Sequence, residues 1–139
     1  MRYLLDVNLL VAWGWSDHAE HARAAAWIGR AKRTRGTVLF SSAIPQLGFV
    51  RVSVQRTGGQ ITPADAGEAL AGMLASLGTV HQLLSDDQAA TVWPAWCRSA
   101  GQTTDAHLLA LAKAGGAELA TLDVGIPGAF VVPTALGRS

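Results

Sequence analysis

The sequence predicts an α/β fold with a mostly parallel sheet that helices cover on both faces. Short apolar segments alternate with longer segments whose apolar residues recur at helical spacing, a pattern typical of repeated strand–helix units. The strand-like segments are apolar throughout, as expected for strands that are buried on both faces. The chain has 139 residues, of which 50% are hydrophobic, enough for one packed core. We therefore expect a single domain over residues 1–139.

Five segments have the composition of short buried strands. They are residues 3–6, 38–40, 80–84, 117–122 and 129–132. Helical segments lie between the first four strands, and capping residues mark where they begin. We expect helices over residues 9–15, 18–33, 43–55 and 62–76, one from residue 85 that is kinked or restarted at residue 94, and one that ends at residues 115–116. The expected caps are Ser16 or Asp17, Ser42, Thr62, Ser85, and Thr103 or Thr104.

Three isolated aspartates stand at the ends of apolar segments. Asp6 ends the first predicted strand, Asp123 follows the fourth, and Asp105 lies in the first turn of the last predicted helix. In open parallel sheets, ligands bind beyond the carboxyl ends of the strands, where the following helices also begin. A buried carboxylate is costly unless it is paired or binds a metal. We therefore predict that the three side chains converge on a hard cation, Mg²⁺ or Mn²⁺, which could activate water against a phosphodiester.

Each aspartate also has a structural explanation. Asp105 could balance the positive end of its helix dipole, and Asp123 could form an Asx turn before Gly125. Asp6 is harder to explain in this way, because it directly follows an apolar strand. One shared site would account for all three residues.

Composition excludes several classes of protein. The formal net charge is +1, which does not indicate a generally basic nucleic-acid-binding protein. The single Cys97 excludes an internal disulfide and fits a reducing compartment. No apolar run reaches the length of a membrane span, and the N-terminus lacks the pattern of a signal peptide. We expect a cytoplasmic protein that does not associate with membranes.

Four short motifs follow one another in order over nearly the whole chain. They are Leu4-Leu5-Asp6-Val7-Asn8, Gly48-Phe49-Val50-Arg51-Val52, Thr104-Asp105-Ala106-His107-Leu108 and Ala120-Thr121-Leu122-Asp123. In this order and spacing the chain resembles PIN-domain ribonucleases, specifically the VapC-type toxins of bacterial toxin–antitoxin modules. The resemblance implies a three-layer α/β/α fold, Mg²⁺- or Mn²⁺-dependent endonucleolytic cleavage of RNA, a homodimer, and a cognate VapB-type antitoxin. It implies that Asp6, Asp105 and Asp123 are catalytic.

Gln46 departs from the family pattern. Many PIN domains carry a further acid, often Glu, in the helix after the second strand, and Gln46 stands at that position with a neutral oxygen. We expect it to weaken binding of a second metal ion. The preferred arrangement is one ion held by Asp6 and Asp105, with Asp123 acting directly or through water. The alternative is a catalytically degenerate module that binds RNA or an antitoxin without cleaving.

Other residues have open roles around this site. Asn8 could hydrogen-bond the Asp6 carboxylate or cap the following helix, and Thr104 could cap its helix or lie near the waters of the metal. Arg51 could neutralise the acids or bind a phosphate, and His107 could reach the site or stay on the helix surface. The substrate-binding residues cannot be assigned from the sequence.

Two groups outside the acid motifs are also ambiguous. The first is a basic cluster that could complement a helix end or contact phosphate, formed by Arg30, Lys32, Arg33 and Arg35. The second is a set of tryptophans that could pack in the core or anchor a partner, formed by Trp13, Trp15, Trp27, Trp93 and Trp96.

Overall fold

Five short strands form one parallel sheet in a computed structural model that describes residues 1–134. The strands are β1 (Arg2–Leu5), β2 (Val38–Ser41), β3 (His81–Leu83), β4 (Glu118–Thr121) and β5 (Phe130–Val131). Their order across the sheet is β3-β2-β1-β4-β5, and every neighbouring pair is parallel. All five predicted strands are confirmed: β3, β4 and β5 are shorter than predicted, β1 is shifted by one residue, and β2 is one residue longer.

Five α-helices accompany the sheet. They are α1 (Val7–Gly14), α2 (His21–Arg33), α3 (Ala43–Arg56), α4 (Pro63–Ala75) and α5 (Thr103–Ala114). α4 begins as predicted, because the Thr62 hydroxyl accepts from the Asp65 backbone N–H and the Asp65 carboxylate accepts from the Thr62 N–H. Gly36, at φ 84°, lies between α2 and β2, where a residue with a side chain would be strained.

The sheet is buried on both faces, which confirms the three-layer α/β/α arrangement. Tyr3, Leu5 and Leu39 face a core that α1 to α4 complete. Leu4 and Phe40 face a second core on the other side, which α5 covers. Successive strand residues point to opposite faces, so continuous apolar strands are what a doubly covered sheet requires.

The chain order of the strands reverses beside β1. From β1 the chain moves outward through β2 to β3, then crosses back over the sheet to β4 on the other side of β1. The gap between the carboxyl ends of β1 and β4 is therefore the topological switch point, where open α/β sheets bind their ligands.

Two predicted helix starts are wrong. α2 begins at His21 after irregular turns, and neither Ser16 nor Asp17 caps it. The helix predicted from Ser85 does not form, because residues 84–99 run without a helix or strand and their Asp86 pairs with His107 of α5. That long-range pair is stronger than the local helix signal.

Two other caps differ from expectation in detail. Ser42 is the residue before α3, yet its side chain makes no capping hydrogen bond. The residue before α5 is Gln102, so Thr103 and Thr104 lie inside the first turn of the helix. The Thr103 hydroxyl donates instead to the Ala100 carbonyl at 2.7 Å.

The predicted single domain over residues 1–139 includes residues 135–139, which lie outside the described residues. Among residues 1–134, no helix has the length and apolar character needed to cross a membrane.

Candidate active site

Asp6 occupies the switch point between β1 and β4. It follows β1 directly, and its backbone N–H donates to the Ala120 carbonyl of β4 at 3.0 Å. Its carboxylate accepts from the Val7 N–H at 2.7 Å and from the Thr121 hydroxyl at 2.8 Å. Only 3% of Asp6 is exposed. The carboxylate is therefore held in one orientation by the start of α1 and the end of β4.

The Thr121 hydroxyl organises the polar groups around Asp6. It accepts from the Asn8 side-chain amide at 3.0 Å and from the Asp123 backbone N–H at 3.1 Å while it donates to Asp6. The Asn8 amide oxygen in turn accepts from the Leu122 N–H at 3.1 Å. Asn8 thus fixes the chain after β4 and acts on Asp6 through Thr121. Of its two predicted roles, the cap of α1 belongs to Asp6 instead, and the effect on the Asp6 carboxylate is indirect.

Asp123 and Asp105 complete the acidic group. Asp123 lies just beyond β4, is exposed, and accepts from the Gly125 N–H at 2.8 Å, so the predicted Asx turn is present. Asp105 lies in the first turn of α5 and is half-buried. The charge of Asp123 acts on Asp6, and the charges of Asp6 and Asp123 act on Asp105, so residues far apart in sequence are close enough to interact.

The pKa values express this proximity. Burial raises the pKa of Asp6 above its ordinary value, the hydrogen bonds from Thr121 and Val7 partly oppose the increase, and the charge of Asp123 adds to it. Burial also raises the pKa of Asp105, and the charges of Asp6 and Asp123 raise it further. The site therefore holds more negative charge than the protein alone neutralises.

The three carboxylates do not form a closed cage. Within residues 1–134, no group of three or more His, Cys, Asp or Glu side chains is arranged to hold a metal ion by itself. The donors that are present are hard oxygens, the type that Mg²⁺ and Mn²⁺ prefer. Mg²⁺ usually keeps several waters and takes one or two protein carboxylates, so an open group of this kind fits a hydrated ion.

Gln46 belongs to a different hydrogen-bond network. Its side-chain amide donates to the Ser41 hydroxyl at 2.8 Å, and that hydroxyl lies 2.7 Å from Nε2 of His81. Burial lowers the pKa of His81, which favours its neutral form. After β2, the polar side chains at the edge of the sheet are therefore uncharged and hydrogen-bond one another; we call this the neutral half of the edge. A contribution of Gln46 to metal binding stays a prediction.

Ser42 is the next residue along this neutral half. It is fully buried, and its hydroxyl has no hydrogen-bond partner among the described residues. The register between β1 and β2, continued by two residues, aligns Ser42 with Asp6. A buried hydroxyl without a hydrogen-bond partner among the described residues therefore lies at the same level of the sheet as Asp6.

The remaining predicted residues divide into near and distant ones. Thr104 is exposed in the first turn of α5, one residue before Asp105, and its role near metal waters stays a prediction. His107 is neither at the site nor a surface residue, because it pairs with Asp86 at 2.7 Å and both are mostly buried. Arg51 is exposed on α3.

The basic cluster lies at the end of α2. Arg30, Lys32 and Arg33 occupy its last turn, and Lys32 donates to the Ser76 carbonyl at 2.6 Å. This end of α2 leads into the amino end of β2, at the sheet edge opposite the acids. The cluster therefore complements a helix end.

The tryptophans have different environments. Trp27 is buried in the α1–α4 core, and Trp13 and Trp15 pack against that core. Trp96 packs against the α5 core, whereas Trp93 is 39% exposed and belongs to neither.

Thr121 is a residue of the site for which the sequence predicted no role. A signal was available: Thr121 interrupts the apolar residues Leu119, Ala120 and Leu122, and it is fully buried. With β1 and β4 as neighbours, its register places it beside Asp6.

Comparison with known proteins agrees with this architecture. The family model described as the PIN domain matches residues 3–127. The chain belongs to the PIN-domain family. Three proteins of Mycobacterium tuberculosis are similar to it over most of their lengths. Ribonuclease VapC39 is 36% identical over 91% of both chains. Ribonuclease VapC38 is 39% identical over 88% of this chain and 86% of the relative, and Ribonuclease VapC44 is 40% identical over 91% of this chain and 89% of the relative.

A solved structure supports the PIN fold independently. The crystal structure of Mycobacterium tuberculosis VapC20, described as a Sarcin-Ricin loop cleaving toxin, superposes with a TM-score of 0.63 over 95% of this chain and 98% of that one. The two sequences are 17% identical, so this likeness concerns the fold. The recognition of a VapC-type PIN domain from four motifs is therefore confirmed.

Proposed function

We propose that this PIN-domain protein is the toxin of a toxin–antitoxin module and acts as a metal-dependent endoribonuclease. Its main support is the electrostatic coupling of the acids near the switch point: the charge of Asp123 raises the pKa of Asp6, and the charges of Asp6 and Asp123 add to the effect of burial on the pKa of Asp105. Relatives named as ribonucleases, 36% to 40% identical, support the same activity. The residues of the site are those that hydrolysis of a phosphodiester needs.

Asp6 and Asp105 would hold Mg²⁺, for which Mn²⁺ could substitute. Their surplus negative charge favours a cation, and their oxygens are the donors that these ions prefer. A bound ion would supply Lewis acidity toward water and phosphate. Asp123 is the most exposed of the three acids, so it is available to accept a proton from the attacking water or to hold the ion through a water.

Neighbouring side chains would keep these acids in position. Thr121 orients the Asp6 carboxylate, and Asn8 holds Thr121 together with the chain that carries Asp123. Second-sphere groups of this kind commonly change metal affinity or activity by about 10- to 100-fold. We assign Asn8 and Thr121 to positioning, and Thr104 and Gln46 to weaker supporting roles.

We further propose a single PIN domain over residues 1–139, a homodimer, a VapB-type antitoxin as partner and a cytoplasmic location. Large apolar side chains on the surface support protein partners: Leu47 is 61% exposed and Leu83 is 63% exposed. Exposed apolar residues that form patches commonly mark interaction surfaces.

The experiment is cleavage of a mixed transfer- and ribosomal-RNA pool by purified, antitoxin-free protein with Mg²⁺, with Mn²⁺ and with EDTA. Asp105→Asn is the matched variant, because it removes a charge with little change of shape. We expect discrete fragments that require both the cation and Asp105. Fragments that persist in EDTA, or from a folded Asp105→Asn protein, would contradict the proposal.

One observation favours a second candidate function. Gln46 is neutral and donates to Ser41, so the edge after β2 supplies no charge to an ion. A degenerate PIN module that binds RNA or an antitoxin would have this feature. Intact RNA under every condition, from a folded protein that binds no divalent cation, would favour that reading.

A further inference from the structure

A cavity of about 240 Å³ lies between α5 and the irregular chain that precedes it. One wall is formed by residues 88–94, including Gln88, Thr91 and Trp93. The other wall is the face of α5 that carries Ala106 and His107. None of the three site aspartates lines this cavity.

A buried pair holds the two walls together. Nε2 of His107 lies 2.7 Å from the Asp86 carboxylate, and the other oxygen of Asp86 accepts from the Gln88 N–H at 3.1 Å. The side chains of this pair are 13% and 10% exposed. A segment without a helix or strand is thus attached to α5 at the point where the cavity begins.

Trp93 presents an aromatic surface at this cavity. Its indole N–H donates to the Ala90 carbonyl at 3.2 Å, which restrains the ring, yet 39% of the residue remains exposed. An indole that is held in place and partly open to solvent is a suitable platform for stacking a base, since every base has a π face.

The other lining groups are also suited to a base. Among the described residues, the side chains of Gln88 and Thr91 make no hydrogen bond, so their donors and acceptors are available. Within residues 1–134, no Lys or Arg lines the cavity, which favours an uncharged planar ring over a phosphate. An apolar pocket with a few polar groups is the usual composition of a small-ligand site.

We propose that this cavity binds a nucleobase of single-stranded RNA and contributes to the choice of cleavage site. The proposal rests on the proposed ribonuclease function. Trp93 stacks on the base, and Gln88 and Thr91 contact its edge. Proteins commonly read unpaired RNA by stacking bases on aromatic rings and hydrogen-bonding their edges.

The position relative to the acids defines which nucleotide is bound. His107 follows Asp105 by two residues, about 200° around the helix, so the cavity and the acids flank α5 on opposite sides. A helix with its side chains is about 10–12 Å across. The base therefore belongs to a nucleotide near the scissile phosphate and not to the one that is cleaved.

The test measures binding of short labelled RNA oligonucleotides, each made of one base, by fluorescence anisotropy in EDTA. Three variants are compared with the parent chain. Trp93→Leu removes the aromatic ring, Trp93→Phe keeps a stacking surface, and Gln55→Ala changes an exposed, uncharged side chain on α3. Thermal melting of each variant verifies folding.

We expect Trp93→Leu to weaken binding of the preferred base by about five- to a hundredfold, the scale of one lost stacking contact. Trp93→Phe should stay within about threefold of the parent, and Gln55→Ala should bind like the parent. Gln88→Leu should change the order of preference among the four bases.

Equal RNA binding by Trp93→Leu and the parent would overturn the cavity proposal. Equal losses of binding in Trp93→Leu and Trp93→Phe would also overturn it, because they would indicate that Trp93 serves in packing or in protein contact and not in stacking. The two proposals fail separately. If the parent cleaves RNA with Mg²⁺ but binding ignores Trp93, only the cavity proposal is lost. If binding depends on the Trp93 ring but no RNA is cleaved, the cavity stands and the nuclease proposal is lost.

Discussion

The junctions after β1 and β2 share a backbone plan but differ in their polar groups. Each strand passes through one extended residue, Asp6 or Ser42, directly into a helix. The Asp6 carboxylate accepts two hydrogen bonds, whereas the buried Ser42 hydroxyl has no partner among the described residues. The fold therefore concentrates negative charge at the β1–β4 switch point and leaves the neighbouring β2 edge neutral.

The difference follows from what each junction contacts. Beside Asp6, β4 supplies the Thr121 hydroxyl. α5 supplies Asp105, whose pKa is raised by burial and by the nearby charges of Asp6 and Asp123. Beside Ser42, the polar side chains of Ser41, Gln46 and His81 bond one another. Accordingly, the acid half should control catalysis, and the neutral half should affect mainly stability.

The largest expected difference tests the acid half through Asn8. Asn8→Ala removes the donor to Thr121 and the acceptor for the Leu122 N–H. We expect RNA cleavage to fall by about 10- to 100-fold, because the orientation of Asp6 and Asp123 is loosened. Single-turnover cleavage rates in Mg²⁺ measure the effect. The control is Gln55→Ala, at an exposed residue of α3, and an Asn8→Ala rate equal to that of the control would argue against a positioning role.

A second prediction concerns pH and the stability of the cation-free protein. Asp6 and Asp105 have folded pKa values above the unfolded value of 3.8, so the folded chain binds more protons in the window just above that value. Stability contributed by the protonated forms is therefore lost as the pH rises through this window. Asp105→Asn should reduce this loss and increase stability near neutral pH, by no more than about 1 kcal/mol because Asp105 is half-exposed.

Thermal melts in EDTA from about pH 4 to about pH 7 measure this difference. Asp65→Asn is a useful contrast, because backbone and side-chain hydrogen bonds with Thr62 lower the pKa of Asp65. Its contribution is present above the unfolded pKa and is lost as the pH falls, the opposite sign. The interpretation fails if Asp105→Asn melts below the parent at neutral pH.

A third prediction sharpens the comparison at Gln46. Gln46→Glu replaces the amide donor to Ser41 with a carboxylate, so one buried hydrogen bond is lost or inverted. We expect a destabilisation of about 1 kcal/mol and a gain in Mn²⁺ affinity below about tenfold. Denaturant unfolding and calorimetric titration measure the two effects. If the parent bound almost no Mn²⁺ and Gln46→Glu bound it tightly, Gln46 would occupy the position of a lost metal ligand.

The smallest expected effect is at Ser42. Ser42→Ala removes a buried hydroxyl that has no partner among the described residues. Replacing such a group is expected to change the free energy of unfolding little or to stabilise, by about 1 kcal/mol at most. Ser41→Ala is the matched control, since its hydroxyl joins Gln46 and His81, and it should destabilise. A larger loss from Ser42→Ala than from Ser41→Ala would reverse the assignment.

The sequence predicted the five strands well and placed the aspartates at the ends of elements, while their catalytic and metal-binding roles stay predictions. Apolar runs such as residues 117–122 are strong local signals, and a carboxylate like Asp6 at the end of a buried strand has few explanations. Parallel topology then required the strand ends to meet at one edge. These predictions needed only patterns within a few residues.

The errors came from contacts that local patterns do not contain. Ser85 and Asp86 look like a helix start, but Asp86 pairs with His107, 21 positions away. Thr121 became the centre of the site only once β4 was placed beside β1. Gln46 donates to Ser41, a partner that the local sequence does not reveal, and its effect on metal binding stays a prediction. Each depends on a partner distant in sequence or on a choice among hydrogen bonds.

The most direct test of the central claim is calorimetric titration of Mn²⁺ into the parent chain, Asp6→Asn and Asp105→Asn at neutral pH. We predict that the parent binds Mn²⁺ and that each variant, while folded, binds it at least about tenfold more weakly, because one of two direct ligands is lost. Equal Mn²⁺ binding by the parent and both variants would contradict the claim that the acids at the switch point form the metal site.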